Sequence, residues 1–424
     1  MNQKTTCLMA AALLWGAAVC AQTLTLSPLT EGLQLEALGM SANHRYICGL
    51  NVASYQGFVW DTQSNQVFQH TGDYANCDFR AVTNEGVAYG ILGLDDMVTT
   101  NAACFGAEGK PVIVDDKMSQ IFAVTPDGRV AVGCLLDEMW SPSACVWIEG
   151  ERIMLPCPTA EECGIANDGA NAQFVSADGS VIAGYMQDWM SSRPAVIWRR
   201  QADGSYQADV ISAPLWEQHI GEGKPYLRFQ PLGLSANGKW LCLAAQREAD
   251  ETMPTPEFMA RMNLETGEVF DCGQPVAEYF DPETDQCYPN SISDDGTCVG
   301  VVMDAMGFMR GAIWRAGEAA PRLLADLLPD IKELYDYDGF MHLPISISPD
   351  GQFIGGYACP LTYDEEGIPV AYDFQSYLLS LGGASGISSL QSIKLPGSRH
   401  NLLGQPVGEE RRGFLIDNHK LQLR

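Results

Sequence analysis

One phrase recurs seven times along this chain: a short β-prone run, a tight polar turn, an apolar run with glycine, a variable loop, then a run carrying Ala and Trp. The turns read Ser41-Ala-Asn43-His44, Thr83-Asn-Glu85-Gly86, Thr125-Pro-Asp127-Gly128, Ser176-Ala-Asp178-Gly179, Ser235-Ala-Asn237-Gly238, Ser293-Asp-Asp295-Gly296 and Ser348-Pro-Asp350-Gly351. Asp-Gly and Asn-Gly take positive φ cheaply, which matches the twist of two flanking strands and marks hairpins. The runs that follow are β-rich: ICGL, VAYGIL, VAVGCL, VIAGYM, WLCLAA, CVGVV and FIGGYA. The third run reads GFVW (57–60), ACVW (144–147), AVIW (195–198) and AIW (312–314), with AACF (102–105) as a degraded copy. From the turn acid to the closing aromatic is 20 positions in units two, three and four and 19 in unit six, while units five and seven keep the turn and lose the Trp. A fourth run often follows a second turn, as at Glu149-Gly150 and Thr266-Gly267.

Four short strands per unit, at a period of 42 to 59 residues, is the pattern of propeller blades. The expected fold is an all-β propeller of seven four-stranded blades over residues 22–381. Trp60, Trp147, Trp198 and Trp314, held in strict phase, are expected between blades. The run Thr23–Leu26 is expected to complete the last blade and close the ring. Helical periodicity is confined to inserts, chiefly Pro321–Tyr335.

The units resemble the extracellular HAF-type repeats of bacteria, in which an apolar run ending in Trp follows an Asp-Gly turn. The resemblance covers about Leu38 to Leu381. Gln56, Ser143, Pro194 and Arg310 stand where that motif carries its His. It implies a repeated β architecture and an extracellular setting, and no particular activity.

The chain's ends read differently from its body. Lys4 precedes the apolar stretch Leu8–Val19, and Val19-Cys20-Ala21 offers a cleavage site, so residues 1–21 read as a signal peptide. A bilayer span needs about 20 apolar residues, more than this stretch supplies. After the last repeat, residues 382–389 (GGASGISS) form a small-residue linker. The segment 390–424 then carries His400-Asn-Leu-Leu-Gly404-Gln405-Pro-Val407, Arg412-Gly413-Phe414-Leu-Ile416 and Asn418-His-Lys420. This is similar to the short C-terminal tails of exported Bacteroidetes proteins, with His400 in place of the usual Tyr and His419 in place of the usual Gly. The resemblance implies a type IX secretion sorting signal. An inert β-hairpin tail is the other reading.

Chemistry is scarce in the sequence. The formal net charge is −28, becoming −29 if Lys4 leaves with the signal. That charge argues against nucleic acid and anionic membranes as partners. The 14 cysteines become 12 after cleavage and form no CxxC pair. Cys48, Cys134, Cys242 and Cys298 fall in apolar runs and read as small buried hydrophobes. Cys157 and Cys163 flank a short loop and form the most plausible local disulfide. There is no HExxH, GxSxG, SxxK or Walker loop, and the six histidines show no metal-ligand spacing. No catalytic residue, metal or cofactor is expected, and the chain reads as a monomer.

What remains is an asymmetry between the two faces. In an up-and-down blade, the turns joining strands one to two and three to four share a face, and here these are short. The other loops hold nearly every insertion, and function concentrates in such loops. The two-to-three loops carry Asp95-Asp96-Met97, Asp137-Glu138-Met139-Trp140, Asp188-Trp189-Met190, Asp250-Glu251, Asp304 with Met306 and Phe308, and Tyr363-Asp364-Glu365-Glu366, whereas the first unit offers only Tyr55. Acids beside exposed aromatics suit sugar or peptide ligands. The candidate ligand-binding residues are therefore Asp95, Asp96, Asp137, Trp140, Asp188, Trp189, Asp304 and Phe308. Three functions stay open. The leading one is a secreted or surface noncatalytic module binding a protein or glycan. A glycan-active hydrolase or lyase with carboxylates at the channel mouth and a structural part of a cell-surface complex are the alternatives.

Overall fold

The computed structural model describes residues 22–28, 30, 32–70, 76–93, 99–106, 111–163, 169–186, 194–211, 226–247, 257–271, 285–304, 307, 309–327, 340–363, 369–372, 374–382, 414–417 and 420–423. After an opening strand, β1 (Thr23–Leu26), the strands fall into antiparallel four-stranded sets. The first is β2 (Leu35–Met40), β3 (Tyr46–Asn51), β4 (Gln56–Asp61) and β5 (Gln66–Gln69). The second is β6 (Asn76–Val82), β7 (Ala88–Gly93), β8 (Thr100–Phe105) and the first half of β9 (Pro111–Val124). The second half of β9 opens the third set, followed by β10 (Val130–Leu136), β11 (Pro142–Ile148) and β12 (Glu151–Met154). Next come β13 (Ala170–Val175), β14 (Val181–Met186), β15 (Ala195–Arg200) and β16 (Tyr206–Ile211), then β17 (Tyr226–Leu234), β18 (Trp240–Arg247), β19 (Glu257–Asn263) and β20 (Val269–Asp271). The sixth set is β21 (Gln286–Ile292), β22 (Cys298–Met303), β23 (Met309–Trp314) and β24 (Arg322–Leu323).

The last set is β25 (Phe340–Ile347), β26 (Phe353–Tyr363) and, beyond the short β27 (Pro369–Tyr372) that pairs the far end of β26, β28 (Gln375–Ser380). Its outer strand is β1, which pairs β28 from Thr23↔Ser380 to Leu26↔Tyr377. The chain's beginning therefore completes its final blade, as the run Thr23–Leu26 led one to expect. Each innermost strand packs against the next, and β25 returns to β2, so the sets close on themselves as an all-β propeller. A separate hairpin, β29 (Phe414–Asp417) with β30 (Lys420–Leu423), lies in the C-terminal segment. Of the insert 321–335, whose periodicity suggested a helix, Arg322–Leu323 form the strand β24 instead, Leu324–Leu327 form one helical turn, and residues 328–335 lie outside the described ones.

The repeated turn owes its form to side chains as much as to glycine. In six turns the Ser or Thr hydroxyl donates to the Asn or Asp two residues on, as in Thr125 Oγ1 to Asp127 Oδ1 at 2.7 Å and Ser176 Oγ to Asp178 Oδ1 at 2.6 Å. The same hydroxyl accepts the N–H that opens the next strand, Val130 at 3.0 Å and Val181 at 3.0 Å, and the acid accepts the N–H two residues beyond itself. Burial of an unpaired hydroxyl or amide would be costly, so Ser41, Ser176, Ser235 and Ser293, all fully buried, are fixed by this reciprocal network. Turns also hold one another: Asn84 N donates to Pro126 O, Ala177 N to Ala236 O and Asp294 N to Pro349 O.

The core is divided among the junctions between blades. Seven apolar clusters are present among the described residues, and each spans two neighbouring sets. That placement buries both faces of each blade, which is why the second strands read as unbroken apolar runs. Trp60, Trp147, Trp198 and Trp314 are all buried, and each indole N–H is satisfied, by Asn65, Asp115, Pro156 and Glu318 respectively. Met262 and Leu379 take the tryptophan's register in sets five and seven. Cys48, Cys134, Cys242 and Cys298 are fully buried with free thiols. Burial pushes the Cys134 thiol up to about 12, the opposite of a reactive thiolate. The Cys157–Cys163 pairing involves a Cys163 side chain outside the described residues.

Candidate functional site

On the long-loop face, the loop between β10 and β11 is built around Asp137. Its Oδ1 accepts the N–H groups of Met139 and Ser141, each at 2.8 Å, and Trp140 N donates to Asp137 O at 3.0 Å. One oxygen of this carboxylate is thus committed to shaping its own loop. The loop holds Trp140 in the left-handed region at φ +62° with 44% of its surface exposed, beside a Met139 that is 76% exposed. The equivalent turn after β22 repeats the backbone bond, with Gly307 N donating to Asp304 O at 2.9 Å and Gly307 at φ +85°. Where the sixth set has glycine, the third has tryptophan. The first set has Tyr55 at φ +56°, 60% exposed, with its carbonyl receiving the N–H of Cys77 at 3.0 Å. A non-glycine residue in this region costs about 1–2 kcal/mol.

The described structure thus brings Asp137 and Trp140 into one loop and sets Asp304 at the corresponding position three sets away. Asp95, Asp96, Asp188, Trp189 and Phe308 lie outside the described residues. Among the described residues, no group of three or more His, Cys, Asp or Glu side chains is placed to hold a metal ion.

At the other end of the axis lies a feature that the loop pattern did not disclose. Every innermost strand carries a β-bulge at the same place, marked by a register shift against its partner. The extra residues are Leu38, Arg80, Phe122, Gln173, Leu232, Asn290 and Ile345, and each lies three positions before its turn's hydroxyl. All seven line one cavity of about 380 Å³, whose mouth is framed by small turn residues including Ala42, Pro126, Ala177, Ala236 and Pro349. Because all seven innermost strands contribute, this cavity sits on the axis at the short-turn end. The bulge explains the glycine in the second strand: a Cβ at Gly133 would lie 1.9 Å from Gln120 O, and one at Gly184 1.8 Å from Asn171 O. Set five places Leu243 there instead.

From Leu38 to Ile345 the bulged side chains alternate between apolar and polar, with Ile345 and Leu38 as apolar neighbours where the ring closes, and Arg80 alone among the cavity-lining residues is ionisable. Its guanidinium pairs with Asp78 Oδ2 at 2.5 Å, with 41% of the Arg80 side chain still exposed. Asn290 Nδ2 donates to Pro344 O at 2.7 Å. Nearby, burial pushes the Glu36 carboxyl above its ordinary value against a hydrogen bond to Tyr357, with the charge of Asp78 adding to the rise and Arg80 opposing it.

No protein-family model matches the sequence, and no curated protein matches it. Among solved structures, the chain is similar to the putative TolB from Agrobacterium tumefaciens at 16% identity, over 56% of this chain and 80% of that one, with a TM-score of 0.38. It is similar to the β-propeller domain of the Trilobed protease from Pyrococcus furiosus at 7% identity, over 84% and 99%, with a TM-score of 0.47. The virginiamycin B lyase from Staphylococcus aureus matches at 10% identity, over 85% and 99%, with a TM-score of 0.45. Among the described residues, no helix is long and apolar enough to cross a membrane.

Proposed function

We propose that this chain is an exported, noncatalytic propeller of seven blades that binds a protein or glycan through its long-loop face. The observation that carries this reading is the placement of Trp140 and Tyr55. Both are large, solvent-exposed aromatics held in a backbone conformation that glycine adopts freely and that the sixth set gives to Gly307. Strain of this kind persists where the surroundings impose it and clusters at ligand clamps. An exposed indole beside Met139 offers the stacking surface that sugars and peptides use. The remaining candidates, Asp95, Asp96, Asp188, Trp189 and Phe308, lie in the equivalent loops of the sequence repeat and outside the described residues. The C-terminal hairpin belongs, in this reading, to a type IX sorting tail.

The test is a glycan and peptide binding screen on the purified protein, repeated on Trp140→Gly and Tyr55→Gly. Glycine fits the left-handed backbone, so both variants should fold at least as well as the parent. Binding that falls tenfold or more in Trp140→Gly supports the reading. A ligand that binds both variants unchanged, or a screen without any ligand, removes it.

A second reading has one observation in its favour. Glu36 is lifted by burial, with the charge of Asp78 adding to the rise and Arg80 opposing it, and a carboxyl kept protonated by its surroundings is what the general acid of a glycosidase requires. Glycan turnover that Glu36→Gln abolishes would favour the enzyme.

A further inference from the structure

The axial cavity lies at the opposite end of the ring from the aromatic loops, and its lining departs from the character of the rest of the chain. The protein carries 53 acidic and 25 basic residues, yet the only ionisable residue lining this cavity is a cation, Arg80. Opposite and beside it stand Leu38, Phe122, Leu232 and Ile345, with the amides of Gln173 and Asn290 between them. Asp78 pairs with one nitrogen of the guanidinium, which orients a group that has five N–H donors in all. Among the described residues, the mouth is framed by small turn residues such as Ala42, Ala177, Ala236, Pro126 and Pro349, which leave it open to the short-turn face. A volume of about 380 Å³ falls within the range of small-molecule sites, which are largely apolar with a few placed polar groups.

From this arrangement we propose that the axial cavity binds a small, predominantly apolar monocarboxylic acid. Its carboxylate meets the free edge of the Arg80 guanidinium and its body lies among Leu38, Phe122, Leu232 and Ile345. Arginine matches a carboxylate by paired, charge-assisted hydrogen bonds, and a cation in a concave, partly dry site holds an anion more strongly than one on an open surface. The Gln173 amide adds a donor on the far side of Phe122. The site is separate from the aromatic loops and stands or falls independently of them.

Titration calorimetry on the full chain, below any micelle-forming concentration, distinguishes the outcomes. The probes are decanoate, 3-phenylpropionate and the primary amide of each. The expected result is one acid bound per chain, with its amide at least tenfold weaker. The alkyl and aryl arms then tell a fatty acid from an aromatic one. Arg80→Gln should erase the preference for acid over amide, and Arg80→Lys should keep part of it. Ala177→Trp fills the mouth without touching Arg80 and should abolish binding while the fold, read by circular dichroism, is retained. Trp140→Gly should leave the titration unchanged. Amides that bind as tightly as acids, an acid preference that survives Arg80→Gln, or the absence of binding by all four probes would overturn the assignment.

Discussion

Thr23 and Ser380 face one another as a strand pair, although 357 positions of chain separate them. Through that pair and the three that follow it, the first strand of the body becomes the outer strand of the last blade. Leu24 and Leu26 pack on the cluster formed by Ile347, Ile354, Tyr377 and Leu379. Removal of residues 22–26 should therefore unlatch the ring rather than trim a terminus. The substitution pair Leu24→Asp and Leu26→Asp is expected to lower stability by about 3 kcal/mol through loss of apolar burial. Urea unfolding followed by tryptophan fluorescence checks it, and an unchanged midpoint would mean that the ring closes without its latch.

Asp115 sits at the bend where β9 passes from one blade to the next. Its carboxylate receives the indole N–H of Trp147 at 3.0 Å, the N–H of Lys117 at 3.0 Å and the guanidinium of Arg152. Burial alone would raise this carboxyl, but the Lys117 N–H, the Trp147 indole and Arg152 outweigh it and hold it below the ordinary carboxylate range. A depressed native value means that the stability it contributes is present above the unfolded value, about 3.9, and drains as pH falls through the native one. Asp115→Ala should cost about 1–3 kcal/mol, because it strands the buried indole N–H of Trp147 and leaves the partly exposed Arg152 guanidinium without its partner. It should also remove part of the acid sensitivity seen below about pH 4. Parallel denaturant titrations at neutral and acid pH give both numbers.

His44 occupies the position that glycine holds in the other turns, at φ +52°, and its ring stacks on Phe353 at 3.6 Å with an angle of 7°. Burial holds its imidazole below the ordinary value, against the pull of Asp350. The unfolded chain gains this proton near the ordinary histidine value of about 6.5, and the native chain only at lower pH. Stability from this group is therefore complete above that pH and falls as pH drops toward the native value. His44→Gly relaxes the backbone and removes the stack, so its stability should vary less than the parent's between about pH 7 and pH 5. Thermal melts across that window decide it, and parallel curves for the two proteins would exclude His44 as the titrating group.

Much of this architecture was legible because the turn acid, the glycine and the tryptophan are bound to a fixed phase by geometry. Trp147 and Trp198 had to be buried at equal distances from Asp127 and Asp178 once the blades repeat. The latch was legible because Thr23–Leu26 is a β-prone run with no neighbour of its own. The axial ring was not, since Leu38, Arg80, Phe122, Gln173, Leu232, Asn290 and Ile345 share no chemical type. Only their constant distance from a turn hydroxyl identifies them, and a bulge has no compositional signal of its own. The continuous β9 was hidden for a related reason: Asn101 and Ser119 hold its bend with side-chain hydrogen bonds, where a glycine or proline would have announced a break. Of the loop face, the pairing of acid with aromatic at Asp137 and Trp140 was legible, but the commitment of Asp137 Oδ1 to its own loop was not.

Arg261 interrupts the apolar third strand of set five at the register where Val59, Val146, Ile197 and Ile313 stand in other blades. It is 5% exposed, with its guanidinium 3.8 Å from the centroid of the Trp314 ring and Nη1 donating to Gly296 O at 2.5 Å. Trp240 and Phe270 flank it at 5.8 and 5.6 Å. The repeat's own preference would suggest Arg261→Val as a stabilising change. The surroundings argue otherwise, because valine leaves the aromatic cage partly empty and a turn carbonyl without its donor. The cavity and the lost hydrogen bond together should cost about 2–4 kcal/mol, with a further contribution from the lost cation–π contact. Arg261→Lys keeps the charge but not the planar stack and should fall between the two. Denaturant unfolding of the three proteins orders them. If Arg261→Val matched or exceeded the parent, the junction between sets five and six would be held by its apolar cluster alone.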